Sequence, residues 1–169
     1  MKNHTIEARG LFTRGDIMQI EYLCDNKQYV DIVVKWIYNE FIDEIRLGIS
    51  YKKVEESFKN RKKESMPITV VALENKVCIG VASLVVNDLK AKEYAPWLAG
   101  LYVDKEYRNK GIGKVLVEEI QSIASRLGYD VLYLRTEHAS EYYKNLGWEF
   151  VEKLVDEFGL ETSIFLKRL

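Results

Sequence analysis

Between an apolar run, Leu98-Ala-Gly-Leu-Tyr-Val103, and the start of a helical pattern stand Arg108, Asn109, Lys110, Gly111, Ile112, Gly113 and Lys114. Glycines at 111 and 113 let a ligand approach the backbone closely. The first N–H groups of a helix opening near Ile112 have no partner inside the helix and carry the positive end of its dipole, and Arg108 adds a planar two-pronged donor. This combination suits a phosphate or pyrophosphate. The spacing excludes two nucleotide loops. A P-loop needs Gly-x-x-x-x-Gly-Lys-Ser/Thr, but Val115 follows Lys114 and no first glycine is in place. A dinucleotide turn needs a third glycine where Leu116 stands, and Asp130 precedes the next strand-like run where a ribose carboxylate would end it.

What remains is Arg108-x-x-Gly111-x-Gly113 after Leu-Tyr-Val, followed later by Glu141-Tyr-Tyr-Lys-Asn-Leu-Gly-Trp-Glu-Phe150. The pair, in this order, resembles the GCN5-related N-acetyltransferases, whose signatures are Arg/Gln-x-x-Gly-x-Gly/Ala and Phe-Tyr-x-x-x-Gly-Phe. The resemblance runs from about residue 16 to the end. It implies acetyl-CoA as cosubstrate, no metal, and direct acetyl transfer to a primary amine, on a small molecule or a peptide, within a ternary complex. It also implies an α/β (α+β) fold: a mixed, mostly antiparallel sheet with a central parallel βαβ unit and helices on both faces.

The same likeness assigns residues. The turn from Arg108 to Lys114 would hold the pyrophosphate. The main chain of Leu101, Tyr102 and Val103 would bind the pantetheine arm and the acetyl carbonyl where neighbouring parallel strands splay. Gly100, inside that strand, marks a bulge freeing the backbone or a packing contact against a helix. Tyr143, four residues before Gly147, matches the family's catalytic tyrosine; a phenol can protonate a departing thiolate of similar basicity. The alternative is a merely packed ring, and Tyr142 is read as a core neighbour. Thr136 stands where the family often has asparagine against the pantetheine amide. For the base, Glu93 is the candidate, with His138 behind it. Trp36, Glu40, Glu44 and Trp97 could cage a cationic acceptor. Neither motif contains a cysteine that could carry an acyl-enzyme. The competing class is a non-catalytic acyl-CoA-binding sensor or scaffold module of the same fold.

Composition bounds the partners. At 169 residues the chain fits one N-acetyltransferase domain, 1–169, with 1–15 read as an arm or an added short strand. A net charge of −1 gives no global field for nucleic acid or an anionic membrane. The basic cluster Lys59-Asn-Arg-Lys-Lys63 reads as a solvated helix face. Cys24 and Cys78, far apart in apolar runs, read as reduced buried thiols. No signal-like stretch and no run near the roughly 20 apolar residues of a membrane span is present, so the expected setting is cytoplasmic, as monomer or homodimer.

The elements follow from period. Alternation over Met18–Cys24 predicts a strand, and Val30, Val33, Val34, Ile37, Phe41 and Ile45 predict a helix. Ser50 caps a second helix carrying Val54 and Phe58. Runs 68–74 and 77–86 around Asn75-Lys76 predict a hairpin, each late strand entrance being marked by Pro67 or Pro96. Trp97–Val103 is a strand. Ile112, Val115, Leu116, Ile120, Ile123, Ala124 and Leu127 form one apolar helical stripe, and Val131–Leu134 is the strand parallel to the first. A short helix over 139–146 and strands 148–155 and 162–169 close the chain.

Overall fold

The computed structural model describes residues 18–42, 48–156 and 158–169. The expected arm at 1–15, Glu44 and Ile45 lie outside the described residues. Strand β1, Met18–Tyr22, leads through 3-10 turns into helix α1, Val30–Phe41; helix α2 is Tyr51–Lys59. Strands β2, Ile68–Glu74, and β3, Val77–Val85, form a hairpin, followed by β4, Trp97–Val103, and helix α3, Ile112–Arg126. Then come β5, Val131–Thr136, helix α4, Ser140–Asn145, and strands β6, Glu149–Val155, and β7, Glu161–Arg168. They form a seven-stranded sheet in the order β1-β2-β3-β4-β5-β7-β6, antiparallel except between β4 and β5.

Local chemistry explains the boundaries. The hairpin turns on Asn75 and Lys76 at φ 50° and 65°, the paired left-handed conformation whose twist matches the strands it joins. The Ser50 hydroxyl accepts from the Lys53 N–H at 3.4 Å and starts α2 as expected. β1 stops two residues short of the predicted end. The Asn26 side chain donates to the Tyr22 carbonyl at 3.1 Å and its N–H to the Leu23 carbonyl at 2.9 Å, folding Leu23–Asp25 into a 3-10 turn.

Alternate residues of β2 serve two cores. Ile68, Val70 and Ala72 join Leu116, Ile120 and Ile123 of α3, while Val71 and Leu73 join Val33, Val34 and Ile37 of α1 and Phe58 of α2. Helices therefore cover both faces. The α3 stripe departs from expectation at its end: Val117 is buried, whereas Leu127 lies past the last helical turn and is exposed. No helix among the described residues is long and apolar enough to cross a membrane.

Candidate active site

β4 is irregular in the middle. Val81 opposes Tyr102 and Ser83 opposes Ala99, so Gly100 and Leu101 together face the single residue Ala82. This is a bulge, with Gly100 at φ +60°. The packing role envisaged for Gly100 is also present, because a Cβ there would sit 3.1 Å from Ile37 Cδ1 of α1. On its other side β4 meets β5 at one place, Trp97 opposite Tyr133, tied by the Tyr133 N–H to the Pro96 carbonyl at 2.9 Å. Beyond it the two strands carry no further ladder among the described residues. The β4 main chain through Leu101, Tyr102 and Val103 thus lies along the edge of β4 that has no ladder to β5, where an extended amide-bearing chain can pair as an added strand does.

That gap ends at the glycine turn. Asp104 accepts from the Glu106 N–H at 3.1 Å and holds a 3-10 turn over Lys105–Tyr107. The chain then takes left-handed conformations at Asn109, φ 62°, and Gly111, φ 78°. No side chain caps α3, and its first turn, from Ile112, holds no acidic residue. Its free N–H groups therefore present uncompensated positive charge. Arg108 donates from Nε to the Val103 carbonyl at 3.0 Å and lies 5.3 Å from the Tyr102 ring centroid, so its guanidinium is anchored where β4 meets the turn. Lys110 lies over the Tyr107 ring at 4.9 Å, and Lys114 stands 3.9 Å from Glu118, both at the surface. These groups can hold a pyrophosphate without a metal.

Across the gap, Thr136 closes β5 and its hydroxyl accepts from the Ala139 N–H at 3.0 Å, which begins α4. Tyr143 is buried, 7% exposed, among Trp148, Phe165 and Tyr142 at ring separations of 6.0, 6.4 and 5.1 Å. Burial, and then the neighbouring Tyr142, hold its phenol well above the ordinary value, so it stays protonated. Tyr142 is not the core residue expected: it is 40% exposed and leans over the start of α3.

The acceptor-side expectations fare unevenly. Trp36 is buried and packs on Tyr102 at 5.2 Å, and Trp97 is completely buried with its indole N–H donated to the Tyr94 carbonyl. Both rings are taken up in core clusters, and Glu40 is exposed on α1. Glu93 is exposed in the loop before β4, and the His138 side chain is 92% exposed. Two of the four basic residues in the cluster are paired within the chain, Lys59 with Glu55 at 2.7 Å and Lys63 with Asp25 at 2.9 Å. Arg61 departs from the solvated face: it stacks 4.4 Å over Phe58, and burial pulls its guanidinium down to about 10.

One charged network escaped the sequence reading. Arg135 of β5, two residues past the point where β4 and β5 part, bonds Asp88 at 2.9 Å and Asp156 at 3.3 Å. Asp156 also accepts from the N–H groups of Phe158 and Leu160, each at 2.9 Å. Burial works against its ionisation, but these donors and Arg135 outweigh it and hold the carboxyl below its ordinary value. The network ties the loop before β4 to the turn between β6 and β7. The Asp156-x-x-Gly159 turn pattern was a usable signal for half of it.

Comparison with known proteins agrees with this geometry. The model of the acetyltransferase (GNAT) family matches residues 34–148. An uncharacterised N-acetyltransferase of Chlorobaculum tepidum is 32% identical over 75 residues, 44% of this chain; the match spans 45% of that relative's length. Three solved structures share the fold. A GNAT-family acetyltransferase from Staphylococcus aureus Mu50 has a TM-score of 0.68 at 21% identity, over 90% of this chain and 99% of that one. An aminoglycoside 6'-N-acetyltransferase complexed with coenzyme A has a TM-score of 0.65 at 20% identity, covering 88% and 96%. A ribosomal-protein-alanine N-acetyltransferase from Brucella melitensis also has a TM-score of 0.65 at 20% identity, covering 90% and 99%.

Proposed function

Since the chain belongs to the acetyltransferase (GNAT) family, we propose that it is an acetyl-CoA-dependent N-acetyltransferase that passes an acetyl group directly to a primary amine in a ternary complex. The observation that carries this reading is the parting of β4 from β5 after Trp97 and Tyr133, in a gap that ends on the uncapped N-terminus of α3. When bound, acetyl-CoA supplies an activated thioester carbonyl. The turn from Arg108 to Lys114 grips its phosphates, with Asn109, Lys110, Gly111, Ile112 and Gly113 contributing backbone N–H groups. Main-chain groups of Leu101, Tyr102 and Val103 align the pantetheine arm, and an N–H freed by the bulge stabilises the oxyanion. The Thr136 hydroxyl, already an acceptor from Ala139, can still donate to a pantetheine amide. Glu93 takes a proton from the acceptor ammonium, directly or through water, and so frees the lone pair that attacks; Tyr143 gives its proton to the departing thiolate and recovers one from the amine nitrogen as the amide forms.

Two of these neighbours are an aminoglycoside 6'-N-acetyltransferase and a ribosomal-protein-alanine N-acetyltransferase, so the shared fold does not choose the acceptor. A single domain over 1–169, a cytoplasmic setting, and a monomeric or homodimeric state belong to the same reading. Calorimetry of CoA with wild type and Gly111→Val tests it. Gly111 holds φ +78° where the phosphates must approach, so valine strains the turn and fills the site. Micromolar-range binding by wild type and a loss of at least tenfold in a folded Gly111→Val protein is the expected result. Unchanged binding in that variant would remove the turn from the site.

A further inference from the structure

Gly113 is the second residue of α3, and its missing side chain is what another residue uses. A Cβ built there would lie 2.9 Å from the Tyr142 hydroxyl and 3.8 Å from Val103 Cγ2. Helical side chains tilt toward the N-terminus, so the place a residue at 113 would cover lies over the turn before it. The Tyr142 hydroxyl occupies that place, between the end of β4 and the uncapped first turn of α3, where the gap meets the turn. The family signature admits alanine at this glycine, but in this chain a methyl group would collide with the phenol. The hydroxyl makes no hydrogen bond to the protein among the described residues. Burial, and then the Glu118 carboxylate, push its phenol above the ordinary value, so it stays a donor at neutral pH.

Resting on the acetyl-CoA reading above, we propose that Tyr142 is a further cofactor-binding residue, whose hydroxyl, admitted by Gly113, donates to the phosphate nearest the pantetheine arm. Arg108 and the helix N–H groups then approach that phosphate from one side of the gap and Tyr142 from the other. The phenol supplies what the α3 N-terminus lacks, a side-chain donor reaching from α4. Gly113 and Tyr142 therefore work as a pair.

Calorimetry with CoA and with pantetheine, which lacks the pyrophosphate, tests this on wild type, Tyr142→Phe, Gly113→Ala and the double variant. Loss of one hydrogen bond to a charged group is expected to weaken CoA binding by about tenfold in Tyr142→Phe, with pantetheine binding and melting temperature unchanged. Gly113→Ala, by displacing the phenol, should weaken CoA binding similarly, and adding Tyr142→Phe to it should cost nothing further. Wild-type CoA affinity in Tyr142→Phe overturns the proposal and leaves the acetyl-CoA reading standing. An equal loss for pantetheine overturns the phosphate contact in favour of a packing role. Failure of the wild-type protein to bind CoA at all overturns the reading beneath it.

Discussion

A phenol packed against Trp148 and Phe165 with its charge state locked by burial is an acid that acts only when a strong base appears beside it. A thiolate departing into the same low-dielectric surroundings is such a base, because burial raises the basicity of a thiolate as it raises that of the phenol. Tyr143→Phe deletes the hydroxyl and keeps the ring, so acetyl-CoA affinity and melting temperature should hold while kcat falls at least tenfold, within the 10²–10⁴ range of positioned general acids. Near-normal kcat with a lowered melting temperature would assign Tyr143 to packing alone. Because its phenol lies above the ordinary value, the basic limb of the pH–kcat profile below about pH 10 should not change between the two proteins. Arg108 differs in kind, being exposed and held by one bond to Val103. Arg108→Ala should weaken CoA binding more at low salt than at 0.5 M, since exposed charge pairs are screened. Tyr142 and Tyr143 show how far residue types can be read. The motif spacing singled out one ring, but which of two adjacent tyrosines joins Trp148 and Phe165 in the core is a tertiary relation with no local signature.

At the scale of elements, hydrophobic period located nearly every helix and strand, because each buries one face or both. It failed where side chains compete with the ladder, as Asn26 does in ending β1 at Tyr22. It failed also at Leu127, where apolar character outlasts the helix that would bury it. The parting of β4 and β5 was expected from family likeness and not from either strand's own residues, since a gap is a relation between strands. The Arg135–Asp156 pair was invisible for a similar reason: its partners lie 21 residues apart in sequence and meet through a turn. Asp156→Asn keeps an acceptor for Phe158 and Leu160 but loses the charge facing Arg135, and should destabilise the protein at pH 7 by about 1–3 kcal/mol. The folded carboxyl lies below its unfolded value, so its contribution is complete above the unfolded pKa of about 3.9 and is lost as pH falls through the folded one. The melting-temperature gap between wild type and Asp156→Asn should therefore hold from pH 7 to 5 and narrow as pH falls below the unfolded value of about 3.9. A gap independent of pH would assign the effect to shape and not to charge.

For the molecule as a whole, two cores lie on opposite faces of one sheet, and the one under α3 continues past the gap to Leu132, Leu134 and Phe165. Cys78 reports on one of them: burial pushes its thiol up to about 12, so a thiol reagent at pH 8 should modify Cys24 in the native protein and reach Cys78 only on unfolding. Rapid native labelling of Cys78 would show that the α1–α2 face opens. Length, hydrophobic period and motif order were enough to read the architecture, and the glycine turn lies ahead of α3 where they put it. The acceptor side was not legible, because the aromatic residues chosen for it, Trp36 and Trp97, satisfy the core first. The central claim is that this scaffold transfers acetyl groups and does not merely hold the cofactor. Thiol release from acetyl-CoA, followed across a panel of polyamines, aminoglycosides, amino acids and peptides with free N-termini or lysines, tests it directly. Release that depends on at least one class of primary amine and falls at least tenfold in Tyr143→Phe is expected; release no faster than background with every class, while CoA still binds tightly, would leave a sensor or scaffold in its place.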